Sequence, residues 1–303
     1  LSKFLTGLFA FLALSALPAW AQVRCGSVYQ KSKSALQIQH LTEDGYSLMN
    51  SPQLINPTLK RNMEKMTLVI QEKQSSYLGQ LVAPTQIKVM EHSSTSSLDV
   101  RAKGSDLIAI PKNRKKNGKD IFYQALFLHE YGHIIHEFNL KSYLEKHPTS
   151  NIDPKGEDYS YLFTAMEEVF ADTVAVVFTG KPKFVAEELA SATESLFVDG
   201  KPAVSAEEIS LRDFDVVHSA KEIIQNRGVH TDFSMLRSAV GKYMKDHPDQ
   251  KTKIIPALFQ TILDARASMI NTPGKWMHGQ NPEEIIEHMN QVLISILNKN
   301  LKK

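Results

Sequence analysis

The chain has 303 residues, 42% of them hydrophobic and 22% charged, the proportions of a globular protein long enough to bury a large core. Its formal net charge of +2 is too near zero to suggest nucleic acid or an anionic membrane as a partner. The lone cysteine, Cys25, excludes an intramolecular disulfide, so stability must come from packing.

Residues 1–21 read as a signal peptide. Lys3 is the basic start, Phe4 to Leu17 form an apolar run, and Ala19-Trp20-Ala21 is a small-residue cleavage pattern, with cleavage expected between Ala21 and Gln22. The apolar run falls short of the roughly 20 residues that a membrane-spanning helix needs, and no later run is long enough. The expectation is an exported protein, periplasmic or secreted, with no stable membrane span after cleavage. Arg24, directly before Cys25, does not suit a lipoprotein signal, which wants small residues there.

Residues 22–56 have no strong period and read as an irregular segment. From Pro57 to Leu78, Leu59, Met63, Met66, Val69 and Ile70 recur at helical spacing, with Pro57 suited to a helix start and Gly79 to a stop. Residues 85–90 alternate as a strand, 91–103 are polar and loop-like, and 106–110 read as a second strand closed by Pro111. The basic run Lys112 to Lys116 with Asn117-Gly118 reads as a solvated turn, and Asp120 as the cap of the next helix.

That helix, expected to run to about Leu140, carries His129-Glu130-Tyr131-Gly132-His133. Residues four apart share a helix face, so both imidazoles can address one ion, for which Zn²⁺ is the expected cofactor, with Glu130 beside it as general base. A catalytic zinc usually takes three protein ligands. A third histidine at the metzincin offset is excluded, because Asn139 stands there. A second helix, about Tyr159 to Phe178, offers Glu168 and Asp172 on one face: Glu168 as the metal ligand, Asp172 as acceptor of a ligand histidine's other N–H. Glu167 is expected to point elsewhere. Segments near 184–197, 213–227, 232–246, 254–270 and 282–299 are helical in period. The fold class is α+β, with a catalytic core over 57–182 and a mainly α-helical C-terminal lobe over 183–303.

H-E-x-x-H on one helix followed by E-x-x-x-D on the next resembles the gluzincin metallopeptidases, the thermolysin-like clan. The resemblance spans about residues 85–180 and implies a zincin-like core in which His129, His133 and Glu168 bind zinc, Glu130 is the base, and Asp172 supports a ligand histidine, His129 by position. It implies that 106–110 is an edge strand that pairs with an extended substrate backbone. It also points to Tyr159 and His218 as groups that stabilise the transition state. Arg212, His230 and His278 remain unranked candidates, and His136 lies on nearly the same helix face as His129. The expected activity is zinc-dependent hydrolysis of a peptide or protein substrate. The alternatives are a non-proteolytic zinc hydrolase and a catalytically silent zincin-fold binding module; Glu130, the base such a module would lose, argues against the silent one.

Overall fold

Proline opens the first helix among the described residues, where its missing N–H costs nothing, and a left-handed glycine follows its end. This helix, α1 (Pro57–Tyr77), turns Met66 and Ile70 inward, and Gly79 follows at φ +57°. The computed structural model describes residues 37–42, 57–84, 86–92, 100–104, 106–111, 115–116 and 119–120, and everything from 122 onward except 151, 153–156, 194–196, 199–200 and 203. The expected signal peptide and Cys25 lie outside the described residues. Residues 33–303 group into one unit.

The sheet has the order β1-β2-β4-β3: β1 (Gln37–Thr42) and β2 (Gln86–His92) run parallel, as do β2 and β4 (Leu107–Pro111), while β3 (Arg101–Lys103) lies antiparallel to β4. Strand β1 falls in the segment expected to be irregular, and β3 in the one expected to be a loop. Both are short and lack strong alternation, so pairing rather than propensity defines them. Ile87 and Val89 of β2 are fully buried, and β4 is buried along nearly its whole length, as a strand paired on both sides should be. This corrects one expectation: 106–110 is an inner strand, and the sheet edge beside the motif helix belongs to β3. Two further strand pairs, β5 (Lys115–Lys116) with β6 (Lys119–Asp120) and β7 (Phe197–Val198) with β8 (Lys201–Pro202), are short and antiparallel.

The rest is helical: α2 (Gln124–Lys146), α3 (Glu157–Thr179), α4 (Phe184–Thr193), α5 (Ala206–Ser210), α6 (Ala220–Gln225), α7 (Ser234–Asp246), α8 (Ile254–Asn271) and α9 (Pro282–Leu301). The fold is therefore mainly helical with a small sheet, compatible with α+β. The helix expected near 213–227 is mostly turn, and only 220–225 closes, behind a Ser219–Glu222 capping box. Helix α3 is the hub, packing on α1, α2, α4, α7 and α8, and Val169 to Phe178 are buried on all its sides. Among the described residues, no helix is long and apolar enough to cross a membrane.

Two local devices set α2 in place. Gly132 lies against α3: a Cβ there would come within 2.5 Å of the Ala171 Cα, so only glycine allows this approach. Asp120 does not cap α2, which begins behind Tyr123 with no side-chain cap of its own. The Glu188 carboxylate, from α4, accepts the N–H groups of Gln124 (3.0 Å) and Ala125 (2.6 Å) instead.

Candidate metal centre

The Gly132–Ala171 contact brings the α3 turn that carries Glu168 and Asp172 against the α2 turn that carries His129 and His133. The two imidazole Nε2 atoms stand 3.1 Å apart. Glu168 Oε2 lies 3.2 Å from His129 Nε2, and Glu168 Oε1 lies 3.4 Å from His133 Nε2. Among the described residues, this is the one His/Cys/Asp/Glu group placed to hold a metal ion.

Each histidine is backed at Nδ1 by a carboxylate: His129 by Asp172 at 2.8 Å, His133 by Glu167 at 3.4 Å. A neutral imidazole that donates its Nδ1–H to a carboxylate has only a lone pair left at Nε2. With both imidazoles neutral, two lone pairs and a carboxylate converge on one point, the donor set of a cation; with the imidazoles protonated, their charges take that place beside Glu168. Glu168 Oε2 is buried, and its near polar neighbours are the Nε2 atoms of His129 and His230, at 3.2 and 3.4 Å. Tetrahedral bonds of about 2.0–2.1 Å put neighbouring ligand atoms roughly 3.3 Å apart. The 3.1–3.4 Å spacing matches that edge, so the donor set fits zinc.

The local charges follow from this crowding. Burial penalises the carboxylate of Glu168, but the hydrogen bonds and charges of His129 and His133 outweigh it and hold Glu168 well below the ordinary range. Burial likewise works against charge on His129, yet Asp172 and then Glu168 raise it. Asp172 is fully buried, but Arg212 and Arg237, with His129, hold it ionised. Arg212 forks across the carboxylate, Nε to Oδ2 at 3.1 Å and Nη2 to Oδ1; Arg237 reaches Oδ2 through Nε at 2.9 Å and Nη2 at 2.8 Å.

Glu130 is anchored by the sheet edge. The Ala102 N–H of β3 donates to its Oε2, while Oε1 lies 4.0 Å from His129 Nε2. Burial raises Glu130, and the two histidines and the Ala102 N–H offset only part of that.

No family model, no curated protein and no solved structure matches this chain.

The remaining sequence candidates are scattered. Tyr159 is half-buried and stacks on Phe163 at 6.2 Å, and His218 is buried with Nε2 2.9 Å from the Ser210 carbonyl. His136 is buried between the Phe170 and Phe259 rings, with Nδ1 3.5 Å from Glu167 Oε1. His278 sits edge-on to His288, and Asn139 pins the Val82 backbone rather than facing the cluster. Of the unranked group, Arg212 and His230 are delivered to the site. His230 Nε2 lies 3.4 Å from Glu168 Oε2, and its Nδ1 lies 3.9 Å from Glu208 Oε1. Burial, then Arg212, lower His230 to about 4, so it is neutral near pH 7.

Sequence reasoning missed Glu167 and Arg237. Glu167, expected to point away from the site, is the residue behind His133, because the helices cross closely enough for adjacent positions of α3 to reach different imidazoles. Arg237 carries no local signal: a mid-helix arginine looks like a solvated one until the fold buries it.

Proposed function

We propose that this chain is an exported zinc-dependent metallopeptidase with a zincin-like core of the gluzincin type. The observation that carries the reading is the convergence of His129 Nε2, His133 Nε2 and Glu168 on one point, with both Nδ1 atoms facing carboxylates. Zinc held there would polarise a scissile carbonyl and acidify water.

The chain's own groups have separable tasks. Glu130 keeps Oε2 on the Ala102 N–H and leaves Oε1 on the cluster side, so Oε1 is the atom that takes a proton and delivers it to the leaving amine. His230, neutral and partly exposed beside Glu168, is placed to donate a hydrogen bond to an oxygen gaining charge. The edge strand β3 offers main-chain groups to an extended peptide. In a strand, the N–H and C=O of one residue face the same side; the Ala102 N–H faces Glu130, so its carbonyl is on that side too.

The test is metal content of the purified chain together with cleavage of casein or peptides by wild type and Glu130→Gln. Bound zinc and wild-type cleavage that falls about 10²–10⁴-fold in Glu130→Gln, with zinc retained, is the expected result. Zinc without wild-type cleavage would make the chain a binding module, and no zinc would overturn the reading.

A further inference from the structure

The carboxylate behind His129 is held by more than it needs. Asp172 carries one negative charge, and two guanidiniums grip it in a region closed to water. Arg212 meets both oxygens, and its Nη2 also stands 3.3 Å from His129 Nδ1, so it crowds the oxygen that His129 uses. Arg237 touches Oδ2 alone, donating to it through Nε, with Nη2 2.8 Å away. Without Arg237, Oδ2 keeps only the Arg212 Nε–H at 3.1 Å, and the carboxylate is freer to swing Oδ1 off His129. The Arg237 Nε–H on Oδ2, with the guanidinium charge behind it, resists that swing.

Arg237 reaches this position through a second close contact. Gly241, one turn further along the same face of α7, lies against the 212–214 segment: a Cβ there would come within 2.0 Å of the Phe214 carbonyl oxygen. Helix α7 and the segment bearing Arg212 are thus interlocked, and both arginines arrive together from the C-terminal side of the chain.

We infer that Arg237 is a positioning residue for the metal centre: from helix α7, by pinning Asp172 Oδ2, it keeps Oδ1 on His129 and so makes docking of the C-terminal helices a condition for tight metal binding. The inference rests on the metal reading of the His129–His133–Glu168 cluster.

The experiment measures zinc affinity of the full chain by competition with a chromogenic chelator, and the unfolding midpoint in EDTA and in excess zinc, for wild type, Arg237→Gln and Arg237→Lys. A purely structural arginine would lower both midpoints equally and leave affinity alone. A positioning arginine shrinks the zinc-induced rise in the midpoint, because that rise follows affinity. Arg237→Gln is expected to bind zinc about 10- to 100-fold more weakly, as loss of support behind a ligand histidine does. Arg237→Lys keeps the charge without the fork and should fall between the two. Where Arg237→Gln does not fold, Arg237→Lys decides: an affinity within twofold of wild type, as a rough threshold, overturns the inference. A wild type that binds no zinc overturns the metal reading itself, a result distinct from unchanged affinity in the variants.

Discussion

His129 and His133 are one turn apart on the same helix and face the same point, yet their surroundings differ. Behind His129 lies a closed network of Asp172, Arg212 and Arg237, drawn from three parts of the chain and shut off from water. Behind His133 lies Glu167, partly exposed at 27%, at a longer distance and with His136 as its other neighbour. One imidazole is locked by buried charges that can change only together, whereas the other leans on a carboxylate that solvent also reaches. The contrast teaches that a two-histidine motif need not be symmetric: its rigidity is concentrated where the C-terminal helices dock.

The strongest attempt to break this contrast is Asp172→Ala. It leaves two guanidiniums buried without their counter-charge, and stability should fall by about 3–5 kcal/mol in denaturant unfolding. A loss under about 1 kcal/mol would mean the network is not closed. Gly132→Ala acts on both halves at once, because its Cβ must push Ala171 and the flanking Glu168 and Asp172 away from α2. A destabilisation of about 1–3 kcal/mol is expected, with zinc affinity falling as well.

Glu167→Ala isolates the looser half. Zinc affinity should drop only about tenfold, the low end for such support, with little change in the unfolding midpoint. A larger drop than Arg237→Gln produces would reverse the ranking of the two histidines.

The smallest effect concerns the start of the motif helix. Burial pushes Glu188 up to about 7, and the Ala125 and Gln124 N–H groups offset only part of that. The folded state therefore holds this proton more tightly than the unfolded chain does. The group's contribution to stability is complete below its unfolded value of 4.5 and is lost as pH rises through about 7. Glu188→Gln removes the titration, so its unfolding midpoint should decline less than that of wild type between about pH 5 and about pH 8. Parallel curves would show that Glu188 does not titrate in that window.

Much of this protein is local and can be read from spacing. The period of 3.6 places His129 with His133, and Glu168 with Asp172, each pair on one helix face, and the same period locates α1, α3, α7, α8 and α9 to within a few residues. Glycine and proline mark helix ends such as Gly79 and the Gly180 turn for the same reason, since their backbone preferences are properties of single residues. What spacing cannot carry is which distant groups meet. The short strands β1 and β3 exist through pairing, and Glu188 becomes the cap of α2 only because α4 folds back on it. Arg237, Arg212 and His230 become parts of one site only when the helices after residue 182 dock against α3. Helical faces are set by covalent geometry and are present in the sequence itself. Buried charge pairs depend on contacts between residues 40 and 65 positions apart, which the tertiary structure alone decides.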